Sequence, residues 1–141
     1  MNDILATHGM SVWGLFALGV LVLVQSMVAA GAHRAQRSYV PGVVAEDLGH
    51  ESFVFRSHRT VHNSLENLPM MVIPTVIALL VGFDATWLGV MVWTYVGARA
   101  MHMALYYGVA TEKNPSPRSY FYSIALLVNI VLFVMLGIHM V

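Results

Sequence analysis

Apolar residues along the chain gather into four runs separated by polar stretches. The runs cover residues 10–32, 68–83, 85–98 and 119–141. A helix needs about 20 mainly apolar residues to cross a bilayer, and the first and last runs reach that length without a charge. The two middle runs are shorter, so their helices must extend through neighbouring polar residues. The pattern predicts an all-α fold, a single four-transmembrane-helix domain over residues 1–141 with helices at about 8–33, 52–82, 85–109 and 118–140.

Composition supports a membrane protein and excludes several other classes. Hydrophobic residues make up 58% of the chain and charged residues only 10%, against about 25% charged residues in soluble domains. Seven basic and seven acidic residues give no net charge, which excludes an overall basic nucleic-acid binder. The chain has no cysteine, so disulfide scaffolds, thiolate metal sites and cysteine nucleophiles are excluded.

The basic residues all belong to one end of the predicted bundle. Every lysine and arginine lies in the first or third loop or in the helical turns beside them: Arg34, Arg37, Arg56, Arg59, Arg99, Lys113 and Arg118. Lys and Arg are enriched in cytoplasmic loops. We therefore expect both termini on the outer (periplasmic or lumenal) face and this basic end on the cytoplasmic face.

Ionisable residues inside the predicted helices are the strongest functional signal. Arg59, Asn63 and Glu66 recur at helical spacing on the second helix, and Arg99, His102 and Tyr106 do so on the third. Two further arginines, Arg34 at the end of the first helix and Arg118 at the start of the fourth, are expected at the same depth as these residues. Polar groups in membrane helices are costly and mark functional sites. Several guanidinium groups beside one carboxylate suit a small zwitterion with net negative charge.

These motifs resemble the MAPEG family, the membrane-associated proteins in eicosanoid and glutathione metabolism. Residues 56–69 carry Arg-x-x-Arg-x-x-x-Asn-x-x-Glu with a proline shortly after it, the third helix carries Arg-x-x-His-x-x-x-Tyr, and Pro-Arg-Ser follows at residues 117–119. The resemblance covers the whole chain. Phe55, Asn67 and a long third loop depart from the family pattern and argue against a specific eicosanoid synthase.

The resemblance implies a homotrimer that binds glutathione between neighbouring subunits near the cytoplasmic face. It also implies a hydrophobic small-molecule substrate, contact with membrane lipids and no nucleic acid. The expected glutathione contacts are Arg34 (with Arg37 as a rival), Arg59, His62, Asn63, Glu66, Arg99, His102, Tyr106 and Ser119. Arg118 and Tyr106 are the expected catalytic residues, and a cation beside the glutathione thiol would favour its thiolate. Transferase, peroxidase and isomerase activities all remain open.

Several of these polar residues could have a structural role instead of a functional one. Glu66 could neutralise Arg59 or Arg99 as a buried pair, and His58 could share a metal with His62, although we predict no metal site. We interpret Arg37 and Arg56 as lipid-headgroup anchors, and Gln25 and Asn129 as hydrogen-bonding links between helices.

Three other functions compete with the glutathione-dependent enzyme. One is a non-catalytic binding or assembly protein of the same family, because fold does not fix function. Another is a four-helix proton-coupled exporter with Glu66 as its proton carrier, which the one-sided loop charge disfavours. A haem protein with His62 and His102 as axial ligands is the third.

Overall fold

Four α-helices form the protein in a computed structural model that describes residues 2–38 and 40–141. They are α1 (Asn2–Arg34), α2 (Phe53–Leu80), α3 (Ala85–Gly108) and α4 (Pro117–His139). The described ranges contain no β-strand. The fold is therefore all-α, as predicted from the apolar runs.

The first helix begins earlier than the apolar pattern predicts. It starts at Asn2, but His8 leaves helical geometry with φ −110° and ψ 22°. The expected start at residue 8 therefore coincides with this interruption. The starts of α2 and α3 are capped, since Ser52 accepts a hydrogen bond from the Phe55 N–H and Asp84 accepts one from the Trp87 N–H.

The third helix occupies the centre of the bundle. It packs against α1, α2 and α4, whereas α1 and α4 do not contact each other among the described residues. Close approach of α1 and α3 depends on Gly14, which lies against Val92, and on Gly89, which lies against Met10. The Trp93 indole N–H also donates to the Met10 carbonyl at 2.9 Å.

Three helices, α1, α2 and α4, are long and apolar enough to cross a membrane. The central position of α3 explains why it needs no equally long, uninterrupted apolar stretch. Its buried residues include Arg99, His102 and Tyr106 as well as aliphatic side chains. Because its neighbours shield these groups from lipid, α3 can carry charge and hydroxyls at a depth where an outer helix could not.

Candidate functional site

Two opposite faces of α2 organise the polar residues. The buried face, which we call the packed face, consists of Ser57, Thr60, Ser64, Asn67, Met71, Pro74 and Ala78. The exposed face, which we call the open face, consists of Arg59, His62, Glu66, Pro69, Ile73, Val76 and Leu80. The residues of each face are alternately three and four positions apart, so each face forms a continuous stripe along the helix. Asn63 lies at their boundary and is half-buried.

Arg99 joins α3 to the packed face as a buried cation. It is 1% exposed, and its Nη2 donates to Asn63 Oδ1 at 2.8 Å and Ser64 Oγ at 2.9 Å. Both acceptors are neutral. Its Nε and Nη1 atoms are buried without a partner in the described part of the chain. Arg99 therefore retains two unused donors and no compensating carboxylate.

Glu66 does not neutralise Arg99 within one chain, contrary to the buried-pair alternative. It lies on the open face and is exposed, while the hydrogen bonds of Arg99 go to Asn63 and Ser64. The physical reason is angular. Because each residue advances by about 100°, Ser64 lies about 100° to one side of Asn63 and Glu66, three residues on, lies about 60° to the other side.

Tyr106 is the centre of a second group of polar side chains at the basic end. The guanidinium carbon of Arg118 lies 4.0 Å from the centroid of the Tyr106 ring, a distance typical of a cation–π contact. The His102 ring meets the Tyr106 ring edge-on at 5.9 Å. The charges of Arg118, Arg59 and Arg56 all act on the Tyr106 hydroxyl. The two residues predicted to be catalytic thus contact each other.

His50 completes this group, although sequence reasoning missed it. Its Nδ1 lies 3.2 Å from the Tyr106 hydroxyl oxygen, and its ring packs edge-on against Phe55 at 5.1 Å. No motif marks His50, because it belongs to the loop before α2. The contact arises only when that loop folds back on the end of α3.

Arg56 holds the loop in that position. Its Nη1 donates to the carbonyls of His50 and Glu51 at 2.6 and 2.9 Å, and its Nη2 donates to the Tyr107 carbonyl at 3.3 Å. The side chain is 9% exposed. Our interpretation of Arg56 as a lipid anchor is therefore wrong, because its donors bind backbone carbonyls inside the protein.

Glu51 closes the same turn from the outside. Its carboxylate accepts a hydrogen bond from the Gly49 N–H at 3.0 Å. Backbone N–H groups of Glu51 itself and of Gly49 hold the pKa of this carboxyl below its usual value. The ionised carboxylate therefore favours the turn that carries His50.

Several predicted contacts lie outside this group in the single chain. His62 is exposed and stacks on His58 with ring centroids 4.1 Å apart. The Ser119 hydroxyl lies 3.0 Å from that of Ser116, at the start of α4. Arg34 lines a separate cavity between α1, the first loop and α2. Because His62 is exposed and His102 is buried against Tyr106, the haem alternative gains no support.

Gln25 and Asn129 make no hydrogen bond of good geometry between the described helices, although the Asn129 side chain lies near the Tyr95 hydroxyl of α3. Both are buried, yet none of their side-chain amide atoms has a hydrogen-bond partner among the described residues. The described residues also contain no group of three or more His, Asp or Glu side chains placed to hold a metal ion. Several buried polar atoms therefore have no hydrogen-bond partner in the described part of the chain.

The family model for the MAPEG family matches residues 10–138, nearly the whole chain and a range that includes every candidate site residue. The chain belongs to the MAPEG family. It is accordingly an integral membrane protein, a four-helix membrane bundle in the family of glutathione and eicosanoid metabolism. Searches of curated proteins and of solved structures gave no match.

Proposed function

We propose that this MAPEG protein is a glutathione-dependent membrane enzyme of the transferase or peroxidase type. One observation carries the proposal. Arg99, Arg118 and Arg59 converge on α2, α3 and α4, and the hydrogen bonds of the buried Arg99 reach only neutral oxygens. A buried cation without a counter-ion is costly. A ligand that brings carboxylates into this region would supply the missing charge.

The unused polar atoms fit glutathione, which has two carboxylates, one amine and one thiol. Arg99 Nε and Nη1 and His102 Nδ1 are buried and unpaired in the described chain. Guanidinium groups pair well with carboxylates, and Asn63 still has an amide group to donate. The donors therefore match the acidic ends of the tripeptide.

Arg118 and Tyr106 would act at the sulfur. Glutathione supplies the thiol that this cysteine-free chain lacks, and its sulfur bonds to the electrophilic carbon as the leaving group departs with the bond's electron pair. The positive charge of Arg118 would stabilise the sulfur anion and lower the pKa of the thiol. The Tyr106 hydroxyl, held beside His50 Nδ1, would donate a hydrogen bond to the same sulfur. The thiol proton leaves to water.

The open face of α2 supports contact with other copies of the chain, in the homotrimer that family membership implies. Ile73, Val76 and Leu80 could face lipid, but Arg59, His62 and Glu66 continue the same stripe. A stripe that changes from apolar to charged suits a helix–helix seam with a polar site at one end. Arg34, His62 and Glu66 would then complete a glutathione site across the subunit boundary, with a hydrophobic co-substrate entering from the lipid side.

The basic end would face the cytoplasm and the termini the outer side. All seven lysines and arginines lie toward this end, and positive charge in short loops favours the cytoplasmic side. The proposed glutathione site would therefore open to the compartment where reduced thiols persist.

A glutathione titration of purified protein in detergent tests the proposal. Thiolate absorbance should appear on binding, and conjugation of glutathione to chlorodinitrobenzene should follow. Arg118→Ala should abolish the thiolate signal and lower turnover at least tenfold, whereas Lys113→Ala, a loss of one positive charge from the adjacent loop, should not.

The outcomes separate the competing functions. Binding without turnover on any electrophile or hydroperoxide would indicate the non-catalytic family member. No binding of glutathione at all would overturn the proposal. Conversion of a hydroperoxide but not of chlorodinitrobenzene would assign the peroxidase rather than the transferase.

A further inference from the structure

A cavity of about 350 Å³ lies at the basic end, apart from the Tyr106 group. It is bounded by the last turns of α1, the first loop and the first turns of α2. Its lining residues include Ala30, His33, Arg34, Gly42, Val54 and His58. The volume falls within the range of small-molecule pockets. We call it the α1–α2 crevice.

A preformed turn builds one wall of the crevice. The Val43 N–H donates to the Val40 carbonyl at 3.1 Å, which closes a four-residue turn with Pro41 and Gly42 at its centre. Gly42 has φ +79°, so this is the type II geometry that favours glycine at that position. The wall therefore has a defined shape in the absence of a ligand.

His33 fastens this turn to the end of α1. Its Nε2–H donates to the Val40 carbonyl at 3.0 Å, the same oxygen that closes the turn. The hydrogen bond fixes the turn relative to the end of α1. Small side chains at Ala29 and Ala30 widen the crevice on the helix side.

The lining combines apolar walls with basic groups. Alanine, valine and proline side chains form most of the surface, while Arg34, His33 and His58 are its ionisable members. Among the described residues that line it, none is acidic. Such a surface suits a ligand with a hydrocarbon part and an anionic head. The end of a membrane-spanning helix is also where such a molecule reaches the membrane–water interface.

We propose that the α1–α2 crevice binds an amphiphilic anion, with the head beside Arg34 and His58 and the adjoining hydrocarbon against Ala30 and Val54. A fatty-acid carboxylate and an anionic phospholipid share this chemistry. The site lies within one chain, between α1 and α2, and does not depend on glutathione. Arg34 is the one residue that this site shares with the proposed glutathione contacts, so the tests use other positions.

Lipid nanodiscs of phosphatidylcholine provide the test. Trace spin-labelled stearate, spin-labelled phosphatidylglycerol or spin-labelled phosphatidylcholine is added, and electron paramagnetic resonance measures the immobilised fraction of each. The immobilised fraction should be at least threefold higher for one anionic probe than for phosphatidylcholine. A preference for stearate assigns a free fatty acid, and a preference for phosphatidylglycerol assigns the phospholipid.

Two variants connect the signal to the crevice. Ala30→Phe, which fills it, should remove the preference, whereas Ala35→Phe, at an exposed position just after α1 that does not line the crevice, should keep it. His58→Gln should reduce the preference at least twofold without adding bulk. Equal immobilisation of all three probes, or a preference that survives both Ala30→Phe and His58→Gln, would overturn the proposal.

Glutathione binding is measured on the same samples. Ala30→Phe should bind glutathione as the unmodified protein does, because the residue lies outside the Tyr106 group. Loss of lipid preference with intact glutathione binding places the anion site in the crevice. If the unmodified protein shows the lipid preference but no glutathione binding, the crevice stands and the proposed enzyme function fails.

Discussion

The packed and open faces of α2 carry polar residues under opposite conditions. On the packed face, Thr60 Oγ1 donates to the Arg56 carbonyl at 2.8 Å and Ser57 Oγ donates to the Val54 carbonyl at 3.0 Å, while Ser64 accepts from Arg99. On the open face, Arg59, His62 and Glu66 are exposed at the same end of the helix. The packed face bonds its hydroxyls within the chain, whereas the open face presents charged groups outward.

This difference distinguishes structural from functional polarity in a membrane helix. Ser and Thr hydroxyls that bond to their own helix carbonyls need no other molecule. Charged groups on an outward face at membrane depth need water, a ligand or another protein chain. The packed face thus explains how α2 joins the bundle, and the open face indicates where the single chain is incomplete.

The largest expected effect tests whether the open face meets another copy of the chain. Because the protein has no native cysteine, single cysteines can be introduced cleanly. Ile73→Cys on the open face should form an intermolecular disulfide under mild oxidation, detectable on a denaturing gel. Ile130→Cys on α4, exposed to a similar extent (52% against 55%), should not. Equal cross-linking at both positions would show that lipid, not protein, covers the open face.

Substitution of Arg99 tests the role of the packed face. Arg99→Met should weaken glutathione binding about 10- to 100-fold, the effect of losing hydrogen bonds to charged groups. The melting temperature of the ligand-free protein should not fall, since an uncompensated buried charge is removed. Both quantities follow from thermal melts with and without glutathione.

Asn129→Leu is the matched control for Arg99→Met. Both variants remove a buried polar side chain that has unpaired atoms in the described part of the chain, but Asn129 lies outside the predicted contacts. Asn129→Leu should leave glutathione affinity unchanged. If Arg99→Met instead destabilised the ligand-free protein and kept its affinity, Arg99 would be a structural link between α2 and α3.

His50 lies in the loop that Arg56 holds against the end of α3. His50→Ala should lower turnover about 3- to 10-fold, the effect of one neutral hydrogen bond, while the KM for glutathione changes little. His50→Gln keeps an N–H donor for the Tyr106 hydroxyl oxygen, which leaves the hydroxyl proton for the sulfur, and should restore part of the rate. Steady-state kinetics of both variants provide the measurement. A Gln variant as slow as the Ala variant would exclude the hydrogen bond as the cause.

The sequence predicted the helical class because apolar runs report burial in lipid directly. It placed Arg99, His102, Tyr106 and Arg118 among the site residues because helical spacing and the family motifs mark them. Spacing alone did not show that Asn63 turns toward Arg99 while Glu66 turns away, since that depends on which neighbour each side of the helix meets. The loop-borne contact of His50 depends on tertiary hydrogen bonds of Arg56, for which the local pattern has no signal.

The smallest expected effect concerns the turn at the start of the packed face. The pKa of Glu51 is lowered in the folded protein by backbone N–H groups, so its ionised form stabilises the turn at pH values above the carboxyl's usual value near 4.5. This contribution is lost as the pH falls through the lowered pKa. Glu51→Gln should therefore lower the melting temperature slightly at pH 7, and the difference should vanish in acid. Glu46→Gln, at another exposed position of the same loop, is the control and should shift the melting temperature equally little at both pH values. A Glu51→Gln difference that persists in acid would show that the variant acts through packing rather than through the carboxylate charge.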